Sequence, residues 1–217
     1  MIKKEVIDKL NKLMDEVNAF YEDDEFKGYK ASPLLKEIIN LLKDNNDDEK
    51  ETLKTQYNSY IFIAEAYKRM GRPSLAAIYH QKALETALSI YCQYGEKSNN
   101  ILSLLHSVIS ERNYYVDDDC KDIVQKVKDT NVLDSDEIEK FATKTLARRR
   151  SFKNDPVEMS EAYLAVIDEV EERIDKNRTI FGMGACFEIW NLKSQYLAEK
   201  GIMWSSPAIL NPRVMFD

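Results

Sequence analysis

Apolar side chains recur at three- and four-residue intervals along nearly the whole chain, and only six glycines and five prolines punctuate 217 residues. That spacing lays one apolar stripe along a 3.6-residue helix. So few turn-formers leave little room for the frequent reversals of an all-β protein. The expected fold is therefore all-α, with about nine helices in antiparallel hairpins forming a single helical domain over 1–217.

Local signals mark the ends of these helices. The first carries Ile2, Val6, Leu10, Leu13, Val17, Phe20 and Tyr21 on one stripe and closes at the acidic run 22–25. A second is expected from Ser32-Pro33, where serine can cap an orphan amide and proline has no amide to lose, through Leu35, Ile38, Ile39 and Leu42. The third starts near Asp48, with Glu51 placed to complete a capping box, and buries Leu53, Tyr57, Tyr60, Ile61, Ala64 and Tyr67. Gly71-Arg72-Pro73 separates it from a fourth, bearing Leu75, Ala76, Tyr79, Ala83, Leu84, Ala87 and Tyr91, which Gly95 can end in a left-handed conformation. Helices around 101–109 and 120–127 follow. Asp134 with Glu137, and Asp155 with Glu158, then read as two further capping boxes. The last helix is expected over about 179–200, burying Phe181, Cys186, Trp190 and Leu197.

The segment 201–217 is interrupted by Pro207 and Pro212 yet rich in apolar residues. It is expected to lie as an extended, non-helical tail across the helices, anchored by Trp204, Ile209, Leu210, Val214 and Phe216. The alternative is docking on a second subunit, which would make a homo-oligomer.

A net charge of -7, with 32% charged and 44% hydrophobic residues, describes a globular acidic protein and disfavours non-specific nucleic-acid binding. The apolar runs are short, and Met1-Ile2-Lys3-Lys4-Glu5 has neither the apolar core nor the cleavage site of a signal peptide. A cytoplasmic location and no membrane partner are expected. Cys92, Cys120 and Cys186 follow no metal-ligand spacing, so they read as reduced thiols.

Few constellations carry chemistry. Lys144, Arg148, Arg149, Arg150 and Lys153 form a basic cluster whose guanidinium forks suit anions. The same charges also suit a helix C-terminus with no ligand. Asp117, Asp118 and Asp119 lack the alternation, turn glycine and distal glutamate of a calcium loop. His80 and His106 have no partner motif and read as core or edge histidines. Gly182 and Gly184 lack the spacing of a dinucleotide fold. No cofactor or metal is expected; an enzyme with carboxylate chemistry could use, for example, Glu161, Glu169 or Glu188.

The stretch 65–84, EAYKRMGRPSLAAIYHQKAL, is the best organised, and residues 57–90 resemble a tetratricopeptide repeat, a helix-turn-helix unit of about 34 residues. Tyr60 takes the large aromatic position, Ala64 the small one and Tyr67 the tyrosine one. Gly71 falls at the turn, Ala76 and Ala83 at the small contacts of the second helix, and His80 where an aromatic is usual. Leu88 replaces the closing proline, and no second clear copy follows. The resemblance implies a right-handed superhelix or an irregular helical bundle whose first helices line a peptide-holding groove. Carried over by position, Asn58, Ile61, Glu65, Lys68 and Arg69 face that groove. Lys68 and Arg69 would supply charge-assisted hydrogen bonds to an acidic group, while Glu65 opposes the same ligand. The bland alternative is that both cations complement the end of the helix dipole. The function this implies is a protein- or peptide-binding adaptor or scaffold. The alternatives are a peptide-responsive sensor or acidic inhibitor of immunity type, and an enzyme with no recognisable motif.

Overall fold

The computed structural model describes residues 2–21, 28–113, 120–147 and 153–216. Among them every regular element is helical: α1 (Lys4–Tyr21), α2 (Gly28–Asp44), α3 (Lys50–Arg69), α4 (Pro73–Tyr94), α5 (Ile101–Arg112), α6 (Lys121–Asp129), α7 (Ser135–Ala147), α8 (Glu161–Asn177), α9 (Ala185–Glu199) and α10 (Pro207–Leu210), with one 3-10 turn at Pro156–Met159. The all-α expectation holds, and the described residues fall into two compact units, one up to 147 and one from 153 onward.

In the first unit α3 and α4 form the central hairpin. Gly71 turns the chain at φ 69°, and the Arg72 amide donates to the Tyr67 carbonyl at 2.9 Å, closing α3. Pro73 then opens α4 where a missing amide proton removes no bond. Ala64, Ala76 and Ala83 are fully buried, which lets the two backbones approach. Tyr67 and Tyr79 stack beside them with ring centroids 5.8 Å apart.

The neighbouring helices align on this pair. The Ile2 amide donates to Thr52 Oγ1 at 3.1 Å and the Tyr21 hydroxyl to the Ala66 carbonyl at 3.0 Å, so α1 runs parallel to α3. Tyr57, early in α3, meets Ser98 and Asn100 at the start of α5, which makes α5 parallel to α3 as well. One apolar cluster joins α1 and α2 to α3 and α4, and a second joins α4 to α5, α6 and α7. Each fully buried large side chain, such as Leu35, Ile63 or Leu105, contributes about 1.5–3 kcal/mol.

Two helix starts differ from the sequence reading. α2 begins at Gly28, so Ser32 is a buried residue within the helix and not its cap, and Pro33 lies inside it. Burial of Ala31 and Ser32 outweighs one lost hydrogen bond, and Gly28 supplies the close approach: a Cβ there would come within 3.0 Å of Met70 Cγ. At α3 the cap residue is Glu49, with no side-chain cap bond. The Asp47 carboxylate accepts from the Glu49 amide instead, and the Asp48 carbonyl accepts from the Tyr94 hydroxyl. Gly95 ends α4 at φ 70° and Asp134 caps α7 through the Asp136 and Glu137 amides, both as expected.

The second unit is built on α8 and α9. Asp155 caps only the 3-10 turn, through the Val157 amide, and α8 proper starts one step later on a Ser160 cap. Glu158 is thereby free to accept from Trp204 Nε1 at 2.8 Å and Lys193 Nζ at 3.1 Å. α9 begins at Ala185, six residues after the expected start near 179, because Gly182 and Gly184 sit at φ 80° and 82°. Phe181, read from sequence as buried, is consequently 68% exposed.

The C-terminal segment packs on this unit through part of its expected set. Ile202, Trp204 and Asn211 are buried, Phe216 meets Trp190 edge-on at 5.0 Å, and the Asn211 side chain bonds both the amide and the carbonyl of Lys153. Ile209 and Val214 are exposed and do not anchor it, and Pro207–Leu210 forms one helical turn, α10, in a segment expected to be non-helical throughout.

Candidate functional site

The residues assigned to a groove on α3 lie on one helical stripe at spacings of three and four. Asn58, Glu65, Lys68 and Arg69 are exposed, whereas Ile61 is half-buried against the apolar cluster of α4 to α7. Both cations have partners within the chain. Lys68 Nζ lies 3.6 Å from Glu65 Oε1, and the Arg69 guanidinium stands 4.9 Å from the centre of the Tyr21 ring. Burial pushes the Tyr21 hydroxyl up to about 12 while Arg69 opposes that rise. An exposed pair such as Lys68–Glu65 is worth at most about 1 kcal/mol, so an incoming anion can displace it.

Beneath this stripe lies an arrangement that sequence spacing does not reveal. His80, from α4, is buried with Nδ1 2.8 Å from Glu111 Oε2 on α5 and Nε2 3.3 Å from Glu65 Oε1 on α3. Glu111 is itself 4% exposed, and its other oxygen has no hydrogen-bond partner. A neutral imidazole carries one N–H, so it can donate to only one of the two carboxylates. The three side chains therefore form one polar chain across three helices, with Glu65 at the solvent end. The sequence reading left His80 as a core or edge histidine; it had no signal for Glu111, which sits 31 residues away on a helix whose period marks it as ordinary.

The basic cluster is divided. Lys144 is exposed in the last turn of α7, Lys153 belongs to the second unit, and Arg148, Arg149 and Arg150 lie outside the described residues, as do Asp117, Asp118 and Asp119. Among the described residues no group of His, Cys, Asp and Glu is arranged to hold a metal ion. Of the carboxylates considered for catalysis, Glu169 pairs with Lys200 at 2.8 Å, and Glu188 accepts from the Ile180 and Thr179 amides at 2.7 and 3.0 Å, which holds it below the usual carboxylate range. Cys92, Cys120 and Cys186 form no disulfide among the described residues.

A further feature is the distribution of exposed apolar side chains. Of eleven large ones among the described residues, nine belong to the second unit, including Phe181, Met183, Met203, Ile209 and Met215. Met183, Met203 and Met215 are 87%, 83% and 92% exposed. No described helix is long and apolar enough to cross a membrane. No family model, no curated protein and no solved structure matches the chain.

Proposed function

We propose that this protein is a protein-binding module, an adaptor or scaffold of tetratricopeptide-like build acting in the cytoplasm, that grips its partner through the apolar surface of the second unit. The observation carrying this reading is the concentration of exposed Phe181, Met183, Met203, Ile209 and Met215 on one unit of an otherwise well-buried protein. Methionines are flexible and polarisable, so they adapt to a partner's shape at modest entropic loss. The parallel first helices α1, α3 and α5 support a second contact along the Asn58–Glu65–Lys68 stripe, where weak internal pairs can exchange for a ligand's charges.

The test compares wild type with a Met203→Glu/Met215→Glu double variant as bait in affinity capture from native lysate, with sedimentation of each protein alone. Both side chains are exposed, so helicity should be unchanged. Loss of a wild-type partner, or of concentration-dependent self-association, from the variant supports the reading. An identical set of partners at equal yield, or no association by wild type at all, refutes it.

A further inference from the structure

Each ring nitrogen of His80 faces a carboxylate oxygen from a different neighbouring helix: Nδ1 lies 2.8 Å from Glu111 Oε2 on α5, and Nε2 lies 3.3 Å from Glu65 Oε1 on α3. These are the two helices that pack most extensively on α4. The charged groups in contact with the set are few. Lys68 on α3 stands 3.6 Å from the same Glu65 oxygen, while Arg112, next to Glu111, reaches away to Asp122 on α6, and Arg69 lies over the Tyr21 ring. The two carboxylate arms differ in burial. The side chains of His80 and Glu111 are 3% and 5% exposed, and that of Glu65 is 48% exposed. Packing therefore fixes one arm and leaves the other able to turn into water.

We propose that this junction of α3, α4 and α5 is a proton-operated latch, in which Glu65 is the moving arm. With one proton on the imidazole, Nδ1–H donates to Glu111, whose other oxygen already lacks a partner and whose burial leaves no water to replace the bond. The Nε2 lone pair then faces a carboxylate oxygen, and repulsion turns Glu65 outward toward Lys68 and solvent. Taking up one proton from solvent at Nε2 reverses the contact: the imidazolium donates from both nitrogens, and Nε2–H forms a charge-assisted hydrogen bond to Glu65 that ties α3 to α4. At 3.3 Å the Glu65 oxygen stands just beyond ordinary hydrogen-bond distance, so a small turn of a half-exposed side chain closes or opens the latch. An imidazole is the side chain that ordinarily changes charge between about pH 5 and 8. The surface consequence falls on the Asn58–Glu65–Lys68 stripe. A closed latch offsets the Glu65 charge with an imidazolium, and an open one returns an uncompensated carboxylate to the stripe, so an acidic group is accepted more readily at the lower pH. The latch lies within the first unit and stands independently of the protein-binding reading.

The experiment uses full-length protein with ¹⁵N-labelled histidine and ¹³Cδ-labelled glutamate, followed by NMR from about pH 5 to 8. As the pH rises, His80 Nε2 should lose its proton while Nδ1 keeps its own. The Glu65 carboxyl signal, identified by its absence in Glu65→Gln, should show a step at the same midpoint. Glu65→Gln, at a half-exposed position where folding is not at risk, removes the charge and should move the His80 midpoint down by about 0.5 in pH. His106, which meets Phe141 on α7, should titrate unchanged in the same variant and serves as the control. A His80 ring that keeps one protonation state across the range, loss of the proton from Nδ1 in place of Nε2, a Glu65 signal with no step at the His80 midpoint, or a midpoint unmoved in Glu65→Gln would overturn the latch.

Discussion

Replacing His80 by alanine removes the partner 2.8 Å from Glu111 Oε2 and leaves both oxygens of a carboxyl whose side chain is 5% exposed without a hydrogen bond. Breaking a buried pair from one side destabilises by about 3–5 kcal/mol, because the remaining group keeps its desolvation penalty and loses what offset it. For a domain of this size each kcal/mol lowers Tm by about 2–4 °C, so the variant should melt about 6–20 °C below wild type. Thermal unfolding followed by circular dichroism at 222 nm measures this directly. Two companions separate the mechanism from mere loss of volume. Glu65→Gln alters the half-exposed partner at 3.3 Å and should change stability by no more than about 1 kcal/mol. His80→Phe with Glu111→Leu removes both polar groups and should recover most of the loss, since an apolar pair of similar volume is often neutral or better than a buried ionic one. An His80→Ala variant melting within about 2 °C of wild type would refute the argument, as would a double variant no more stable than the single one.

Two further outcomes follow from the same structure. The Tyr21 and Tyr79 hydroxyls are each pushed up to about 12 by burial, so the folded state holds these protons more tightly than the unfolded chain; their contribution is complete below about pH 10 and is lost between pH 10 and 12. Absorbance at 295 nm should show at least these two tyrosines titrating late, with Tm falling over the same window, and a single tyrosine transition near pH 10 would contradict it. Asp155→Ala removes both the cap on Val157 and the 2.6 Å bond from the Ser205 amide, so limited proteolysis should cleave within 201–216 sooner than in wild type, with a stability loss of about 1–2 kcal/mol. An unchanged cleavage pattern would show that the remaining anchors, Trp204, Asn211 and Phe216 among them, hold the segment without Asp155.

Class and turns were readable because their causes are local. The 3.6-residue period, Gly71 and Gly95 at positions that need a positive φ, and Asp134 before α7 each act within about four residues, and the structure uses all of them as expected. The same local logic failed where burial competes with it. Ser32-Pro33 has the chemistry of a helix start, but packing of Ala31 and Ser32 carries α2 back to Gly28. Gly182 and Gly184 were visible in the sequence as permissive residues, yet only their left-handed conformation delays α9 to Ala185 and leaves Phe181 in water.

The candidate sites depend still more on tertiary structure. The sequence by itself determined that the chain is helical, that residues 57–90 form a close hairpin, and that Asn58, Glu65, Lys68 and Arg69 share one stripe. Tertiary structure alone decided that Glu65 reaches His80, that His80 meets Glu111, that Arg69 lies over Tyr21, and that Lys82 lies over the Tyr60 ring. The physical reason is range. A helix is written by hydrogen bonds and side chains three or four residues apart, whereas these contacts join residues tens of positions apart, and their energies depend on how much water the packing of several helices excludes.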